Sequence, residues 1–306
     1  MRAVPFSFDH AGTRAFQLWQ RPDTALLGRS TEWSPRRARG TWPAPKLRTP
    51  SQISKPATGL SAQPEQPRFL PAGDSAMVVE FGTGISPELN TRVLSLDREL
   101  QETPPDGLVE TVPTYRSLMI VYDPMLTDFD TLGAAIEKAL ERSEGRELNG
   151  RLWTIPVVYG GEVDADTAAD LAHVAGHAGI SESEVVRLHS QATYRVYMIG
   201  FSPGFSYLGG LPEKLHIPRR TMPKPRVEAG SIMIGGMQSA VASVPTPTGW
   251  YVLGHTPARA FDMQRGDDTF LFRAGDMLRF EAISASEFAP LAARAALGEP
   301  VARLAE

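Results

Sequence analysis

The sequence contains no cysteine, which excludes disulfide bonds, thiolate metal sites and cysteine nucleophiles from its chemistry. It has no run approaching the roughly 20 apolar residues that a membrane-spanning helix requires. Neither the G-x-x-x-x-G-K-[ST] phosphate loop nor the H-E-x-x-H zinc motif occurs. These absences predict a cytoplasmic protein without a metal site, a membrane partner or a Walker-type nucleotide site.

The formal net charge of −4 is distributed unevenly along the 306 residues. Residues 1–66 contain ten Lys and Arg against four Asp and Glu, whereas residues 67–306 contain 21 against 31. Eight prolines interrupt the first segment, so regular structure is hard to sustain there. We predict that residues 1–66 are a disordered Pro- and Arg-rich extension, or a stretch added by an upstream start codon. The alternative is a basic tail that contacts nucleic acid or acidic membranes.

Residues 67–150 are predicted to form an N-terminal α/β domain. The apolar run 77–81 predicts a buried strand, and Ser86 is placed to cap the helix that follows. Two further strands, a second helix capped by Asp128 and a strand at 152–158 give the order β-α-β-β-α-β. This order is typical of the ferredoxin-like fold.

Residues 151–306 are predicted to form a C-terminal β-barrel domain, so that the fold class of the whole chain is α+β. Two helices come first, and the second begins at the capping box Ser181-x-x-Glu184. Short apolar runs separated by Gly and Pro then indicate a barrel or a sandwich. These runs lie at 194–199, 231–234, 240–244, 250–253, 269–272 and 277–283.

The stretch Gly200-Phe-Ser-Pro-Gly204 matches the G-x-S-x-G pattern of serine hydrolases. In those enzymes the amide after the serine donates to the oxyanion, but here that residue is Pro203, which has no amide hydrogen. We therefore predict that Ser202 is not a nucleophile. Aromatic residues among glycines can instead wall a ligand pocket, or they can pack inward in a tightly turned loop. The aromatic residues in question are Phe201, Phe205 and Tyr207.

A basic segment follows in an otherwise acidic body. Its cations are Arg219, Arg220, Lys224 and Arg226, separated by prolines. Arginine side chains suit carboxylates and phosphates, so the segment predicts an anion site, with a solvated charged turn as the alternative. His173 and His177 lie one helical turn apart without a third ligand nearby, and we expect surface or capping roles for them.

Six sequence blocks together resemble one family, the 5-oxoprolinase B-subunit family, also called the allophanate hydrolase subunit 1 or KipI-like family. The resemblance covers about residues 67–300 and excludes the N-terminal extension. The blocks are GDSAMVVEFG (73–82), VPTYRSLMIVYDP (112–124), IPVVYGGE (155–162), RLHSQATYRVYMIGFSPGFSYLGGLP (187–212), IPRRTMPKPRVEAGSIMIGGMQ (217–238) and GWYVLGHTP (249–257).

The resemblance implies an N-terminal α/β domain, a C-terminal cyclophilin-like barrel and a role as one component of a larger enzyme. With the C subunit of 5-oxoprolinase and its LamB/YcsF-like A subunit, family members open 5-oxoproline to L-glutamate at the expense of ATP. ATP, with Mg²⁺, is therefore the expected cofactor, bound by this chain or by a partner. The implied substrate- and anion-binding residues are Phe201, Pro203, Phe205, Tyr207, Arg219, Arg226, Gln238 and Trp250. The resemblance implies no catalytic residue.

Two positions depart from the family pattern. Thr248 stands where family members usually have the first glycine of a Gly-Gly-Trp turn, and His255 stands where they commonly have arginine. Threonine adopts positive φ poorly, so the turn before Trp250 is expected to differ in shape. Two other functions also remain open: a regulatory inhibitor of a sensor histidine kinase, and a subunit of a urea- or allophanate-type biotin-dependent carboxyltransferase.

Overall fold

Two β-sheets organise the protein, one open and one closed. The computed structural model describes residues 66–146, 148 and 150–305, which belong to one unit that comprises residues 65–306. The prediction for the N-terminal extension concerns residues 1–66 and therefore lies, apart from residue 66, outside the described residues. The α+β class is confirmed, because the described residues combine an N-terminal α/β sheet region with a closed barrel.

The N-terminal region is an antiparallel sheet of four strands in the described chain, with two helices packed on it. The elements are β1 (Arg68–Pro71), β2 (Ala76–Glu80), α1 (Pro87–Glu102), β3 (Leu108–Pro113), β4 (Ser117–Tyr122) and α2 (Phe129–Ser143). The strands lie in the order β1-β2-β4-β3. Ser86 Oγ accepts from Leu89 N at 3.2 Å and Asp128 Oδ1 from Thr131 N at 2.8 Å, so both predicted helix caps are confirmed.

The predicted chain order of this sheet is wrong in one strand. Residues 152–158 do not join it, and its edge is instead β1, which precedes β2 in the sequence. The spatial arrangement is still that of a ferredoxin-like sheet, with the edge strand supplied from the start of the chain. The sequence pattern missed β1 because the four residues RFLP are half-exposed and end in proline, and so give no apolar alternation.

The C-terminal region is a closed barrel of seven strands in the described chain. The barrel strands are β5 (Leu152–Tyr159), β6 (Thr193–Ile199), β7 (Ser206–Gly209), β9 (Ser231–Gly235), β10 (Gln238–Val241), β12 (Tyr251–His255) and β13 (Met277–Ala282). Around the barrel the strands lie in the order β12-β9-β10-β7-β6-β13-β5, and the pairing of β5 with β12 closes it. The β5–β13 pair is parallel and the remaining neighbours are antiparallel. The run 269–272, predicted as a strand, makes only an isolated bridge between Phe270 and Phe261.

Helices and short strands surround this barrel. The additional elements are α3 (Ala165–Ala178), α4 (Glu182–Gln191), β8 (Lys224–Val227), β11 (Thr246–Thr248), α5 (Ala285–Ala296) and β14 (Arg303–Leu304). Strands β8 and β11 form a two-stranded ribbon, and β14 pairs with β5. No helix of the described residues combines the length and the apolar composition needed to cross a membrane.

A buried histidine links α4 to the barrel core. Ser239 Oγ donates to the Met233 carbonyl at 3.0 Å, so it can accept from His189 Nε2 at 3.4 Å. His189 Nδ1 then accepts from Tyr159 Oη at 2.9 Å. Burial lowers the pKa of His189 from 6.5 to about 3, so the ring is neutral in the folded protein at neutral pH.

This neutral histidine makes stability depend on pH. The unfolded chain takes up a proton at this ring as the pH falls below 6.5, whereas the folded chain does so only near about 3. The stability contribution of neutral His189 is therefore complete above pH 6.5 and decreases below it, by up to about 1.4 kcal/mol per pH unit. In urea unfolding at a series of pH values, we expect His189→Gln to show a shallower acid decline than the wild type. The exposed His177→Gln variant should follow the wild type, and parallel curves for all three proteins would contradict the assignment.

Candidate functional site

The outer face of the barrel carries a second apolar cluster. Residues opposite one another on neighbouring strands point to the same side, and Tyr207 lies opposite Ala240, which in turn lies opposite Met233. Phe205 and Trp250 pack with these side chains, outside the main barrel core. In this cluster Phe205, Met233, Ala240 and Trp250 are buried and Tyr207 is half-buried, so it forms a packed apolar layer beside the loops that the sequence singled out.

Six aromatic rings form a continuous group on this face, called here the aromatic cluster: Tyr115, Tyr197, Phe201, Phe205, Tyr207 and Trp250. The ring of Tyr207 lies 4.8 Å from that of Phe205 and 6.1 Å from that of Trp250, centroid to centroid. Phe201 adds an edge contact to Phe205 at 5.5 Å. The structure thus brings Phe201, Phe205 and Tyr207, which the sequence pattern singled out, together with Trp250, which the family resemblance implied.

Trp250 depends on a glycine beneath it. A Cβ atom on Gly235 would lie 2.8 Å from the indole ring, so any larger residue would displace the ring. The Trp250 amide donates to Thr248 Oγ1 at 3.1 Å. Among the described residues other than glycine, only Phe201 has a positive φ, so Thr248 does not adopt a positive φ in this turn.

Arg219 places a charge against this aromatic surface. Its guanidinium carbon lies 5.1 Å from the centre of the Trp250 ring, a cation–π distance. Its Nη2 also donates to Gln238 Oε1 at 3.4 Å, a long hydrogen bond. Arg219 therefore joins two other predicted residues, Gln238 and Trp250, and its exposed guanidinium can meet an anionic ligand.

The other cations of the basic segment already have carboxylate partners. Arg220 and Lys224 both form ion pairs with Asp170, and the distance from Lys224 Nζ to Asp170 Oδ2 is 2.9 Å. Arg226 is 64% exposed and its Nε donates to Glu228 Oε1 at 2.8 Å. Of the cations in this segment, Arg219 therefore remains as the candidate for the predicted anion site. Within the described chain, no ring contact joins Arg226 to the aromatic cluster.

Asp170 is a buried carboxylate that the sequence analysis did not single out. It lies on α3 and is only 2% exposed. Besides the two ion pairs, its Oδ2 accepts from the Val252 amide at 2.9 Å. It therefore joins α3, β12 and the basic segment, and it holds the loop from which Arg219 extends.

The G-x-S-x-G loop has none of the features of a nucleophile elbow. The positive φ falls on Phe201 rather than on Ser202. Among the described residues, the buried Ser202 hydroxyl has no hydrogen-bond partner, so no base contacts it. The Pro203 carbonyl accepts from the Ser243 hydroxyl, which fixes the turn. Ser202 lacks the geometry of a nucleophile, as expected from the missing amide of Pro203.

Tyr115 brings the N-terminal region into the aromatic cluster. It lies between β3 and β4, stacks on Tyr197 at 5.1 Å and meets the edge of Tyr207 at 6.2 Å. The sequence analysis did not assign it to the site, although it belongs to a sequence block that supports the family resemblance. Tyr115 was missed because it joins the cluster through the contact between the N-terminal region and the barrel, and local sequence does not indicate that contact.

The contact between the regions is made by buried hydrogen bonds. Asn90 Nδ2 donates to the Tyr197 carbonyl at 3.0 Å and to the Thr114 carbonyl at 3.2 Å. Its Oδ1 accepts from Arg195 Nε, also at 3.0 Å. Because Asn90 is fully buried, these bonds fix the loop that carries Tyr115 against strand β6.

The pKa values of two hydroxyl groups in the aromatic cluster are raised. Burial raises the pKa of Tyr207, and the positive charge of Arg219 opposes the shift. Burial also raises the pKa of Tyr115, reinforced by Tyr207 and again opposed by Arg219. Both hydroxyls are therefore protonated hydrogen-bond donors at neutral pH.

Other potential sites of the described chain are less suited to a charged ligand. No group of three or more His, Asp or Glu side chains in this part of the chain can hold a metal ion. His173 stacks on Tyr251 at 4.8 Å. A cavity of about 480 Å³ lies beside α1 and the end of α2, but its Arg146 is already paired with Glu99 and Glu102.

Comparison with known proteins identifies the family. The model of the family described as "Carboxyltransferase domain, subdomain C and D" matches residues 67–272, which is more than half of the chain. The chain belongs to this family. The match includes the four-stranded sheet, the aromatic cluster and the basic segment, and it confirms the resemblance inferred from the sequence blocks.

Two relatives and one solved structure show how far the similarity of this carboxyltransferase-family chain extends. It is 37% identical to the B subunit of 5-oxoprolinase from Bacillus subtilis over 227 residues, covering 71% of this chain and 92% of that protein. It is 40% identical to the B subunit of 5-oxoprolinase from Escherichia coli O157:H7 over 209 residues, covering 68% of this chain and 92% of that protein. The crystal structure of TTHA0988 is similar with a TM-score of 0.60 and 35% identity, over 68% of this chain and 40% of that chain.

Proposed function

We propose that this chain is a subunit of an ATP-dependent 5-oxoprolinase, which opens 5-oxoproline to L-glutamate. It acts together with the C subunit of that enzyme and its LamB/YcsF-like A subunit, both of which it requires for activity. ATP with Mg²⁺ is consumed in the reaction. The observation that carries this proposal is the similarity to two proteins named as the B subunit of 5-oxoprolinase, across 92% of each.

The chemistry of the substrate explains which groups the site needs. A five-membered lactam is a poor electrophile, and ATP activates it by phosphorylating the amide oxygen before water attacks. 5-Oxoproline itself combines a small ring, a carboxylate and a ring carbonyl. A site for it needs an apolar wall, a cation for the carboxylate and a neutral donor for the carbonyl oxygen.

The aromatic cluster supplies these groups. We assign the apolar wall to Tyr207, which is half-buried, and to Trp250, whose ring centre lies 6.1 Å from that of Tyr207. Arg219 supplies the cation, and it is the cation of the basic segment whose charge the described carboxylates leave unpaired. A single arginine suits one carboxylate better than a triphosphate, so we assign ATP to a partner subunit.

A second candidate function is carboxyl transfer. The description of the matching family model, a carboxyltransferase domain, favours it. A carboxyltransferase would bind biotin or a carboxylated amide at the same aromatic surface, and its turnover would require a biotinylated partner rather than ATP alone. Dependence of activity on added biotinyl protein therefore separates the two functions.

Reconstitution with the partner subunits tests the proposal. The full chain is combined with the A and C subunits, and release of ADP and glutamate is measured with and without 5-oxoproline. We expect ADP release that requires 5-oxoproline and all three proteins. Undiminished ADP and glutamate release by the two partners without this chain would contradict the proposal. The absence of 5-oxoproline-dependent turnover with competent partners would also contradict it.

A further inference from the structure

The Tyr115 hydroxyl is a buried polar group without a partner. Its oxygen is inaccessible to solvent, and no hydrogen bond reaches it from any described residue. Buried hydroxyl groups are nearly always hydrogen-bonded, because leaving one unpaired costs about 1–3 kcal/mol. This unpaired hydroxyl lies in the aromatic cluster beside Tyr207, 6.2 Å away between ring centres.

The position of this hydroxyl is fixed by the surrounding structure. The loop that carries Tyr115 is closed by Thr114, whose amide donates to the Ser117 carbonyl at 2.8 Å. Asn90 holds the Thr114 carbonyl from the other side. The ring stacks on Tyr197. The residue is thus held on both sides, and its hydroxyl cannot turn away to find water.

Arg219 belongs to the same group of packed side chains as Tyr115 and is itself loosely held. Trp250, which the Arg219 guanidinium contacts, and Tyr115 both pack against the ring of Tyr207, at 6.1 and 6.2 Å between ring centres. The contacts of Arg219 are the cation–π contact with Trp250 at 5.1 Å and the long hydrogen bond to Gln238 at 3.4 Å. An exposed arginine with such weak contacts can move off the aromatic cluster when a better anionic partner arrives.

We propose that Tyr115 is a ligand-recognition residue whose hydroxyl donates to the ring carbonyl oxygen of a small carboxylate-bearing lactam. Arg219 leaves Trp250 to pair with the ligand carboxylate, and this movement opens the Tyr115 hydroxyl to the ligand. The ligand then bridges the N-terminal region and the barrel. This inference rests on the proposed function and extends it, because it names the residue that distinguishes a lactam from a simple cyclic amine.

Three probe molecules distinguish the contact of Arg219 with the carboxylate from the contact of Tyr115 with the ring carbonyl. 5-Oxoproline carries both the carboxylate and the ring carbonyl, L-proline carries only the carboxylate, and 2-pyrrolidinone carries only the lactam. Binding of each to the full chain, alone and with the partner subunits, is measured by calorimetry and ligand-detected NMR. We expect Tyr115→Phe to weaken 5-oxoproline binding about tenfold and to leave L-proline binding unchanged. Arg219→Ala should weaken 5-oxoproline and L-proline but not 2-pyrrolidinone.

A matched control and a stability measurement exclude a structural explanation. Tyr122→Phe removes the same hydroxyl group from strand β4 of the same sheet, in the core between the sheet and its helices. It should leave the binding of all three probes unchanged. Because the Tyr115 hydroxyl has no partner among the described residues, Tyr115→Phe should leave the thermal midpoint unchanged or raise it, whereas a structural hydroxyl would lower it on removal.

The outcomes distinguish the inference from the proposed function. If the wild type binds 5-oxoproline and Tyr115→Phe binds it equally well, the inference is wrong and the proposed function stands. The same holds if the assembled enzyme turns over 5-oxoproline while this chain never binds it. If neither binding nor 5-oxoproline-dependent ADP release occurs with competent partners, both fail.

Discussion

Replacing Arg219 with alanine is expected to lower kcat/KM for 5-oxoproline in the assembled enzyme by about 10- to 100-fold, the range for loss of a charged hydrogen-bonding partner. The loss should appear mainly in KM, because the arginine meets the carboxylate equally in the ground state and the transition state. Steady-state ADP release at varied 5-oxoproline concentration measures this. Arg219→Lys should recover part of the loss, since it keeps the charge without the planar fork.

Two further variants test whether the loss of activity is specific to Arg219. Arg187→Ala removes an arginine of an exposed ion pair on α4 and should leave kcat/KM unchanged. Arg226→Ala tests whether the anion site extends along the whole basic segment. An effect of Arg226→Ala as large as that of Arg219→Ala would show that the aromatic cluster is not the centre of the site. Full activity of Arg219→Ala would contradict its assignment to the carboxylate.

Replacing Asp170 with alanine is expected to lower the free energy of unfolding by about 3 kcal/mol or more, because it leaves two largely buried cations without a counter-charge. Arg220 and Lys224 both lose their carboxylate, and the Val252 amide loses its acceptor. Urea unfolding at neutral pH measures the effect. The variant should also raise KM for 5-oxoproline, since the segment that carries Arg219 loses its attachment to α3.

The matched control for Asp170 is an ion pair of the same chemistry at the surface. Glu184 pairs with Arg187 on α4 at 2.6 Å, and their side chains are 36% and 50% exposed. Glu184→Ala should change the unfolding free energy by at most about 1 kcal/mol. Equal effects of the two substitutions would show that the burial of Asp170 does not determine its contribution.

Local sequence signals predicted most of the secondary structure of the described chain. The helix caps Ser86, Asp128 and Ser181 are confirmed, because a capping side chain bonds to an amide only a few residues away. Helix α5 begins at a capping box, in which the side chains of Ser284 and Glu287 each accept from the other residue's amide. The strand order of the N-terminal sheet was wrong, because strand pairing depends on distant residues and the edge strand β1 has no pattern of its own.

The candidate site was predicted in part for a similar reason. Phe205, Tyr207 and Arg219 were named because the sequence concentrates aromatic and basic residues in short blocks, and Trp250 was named because the family resemblance implies it. Asp170 was missed, because nothing in the sequence of α3 distinguishes a buried carboxylate from an exposed one. The unpaired hydroxyl of Tyr115 becomes visible only when the hydrogen bonds of the described residues are traced in the folded chain.

The indole N–H signal of Trp250 in a ¹H–¹⁵N spectrum tests the central claim most directly. Trp153 serves as the internal control, because its Nε1 donates to Asp276 at 3.1 Å in the barrel core. As 5-oxoproline is added, we predict a saturable shift of the Trp250 signal, identified with Trp250→Phe, while the Trp153 signal stays in place. A saturable shift at other residues with the Trp250 signal unmoved would contradict the placement of the ligand on the aromatic cluster.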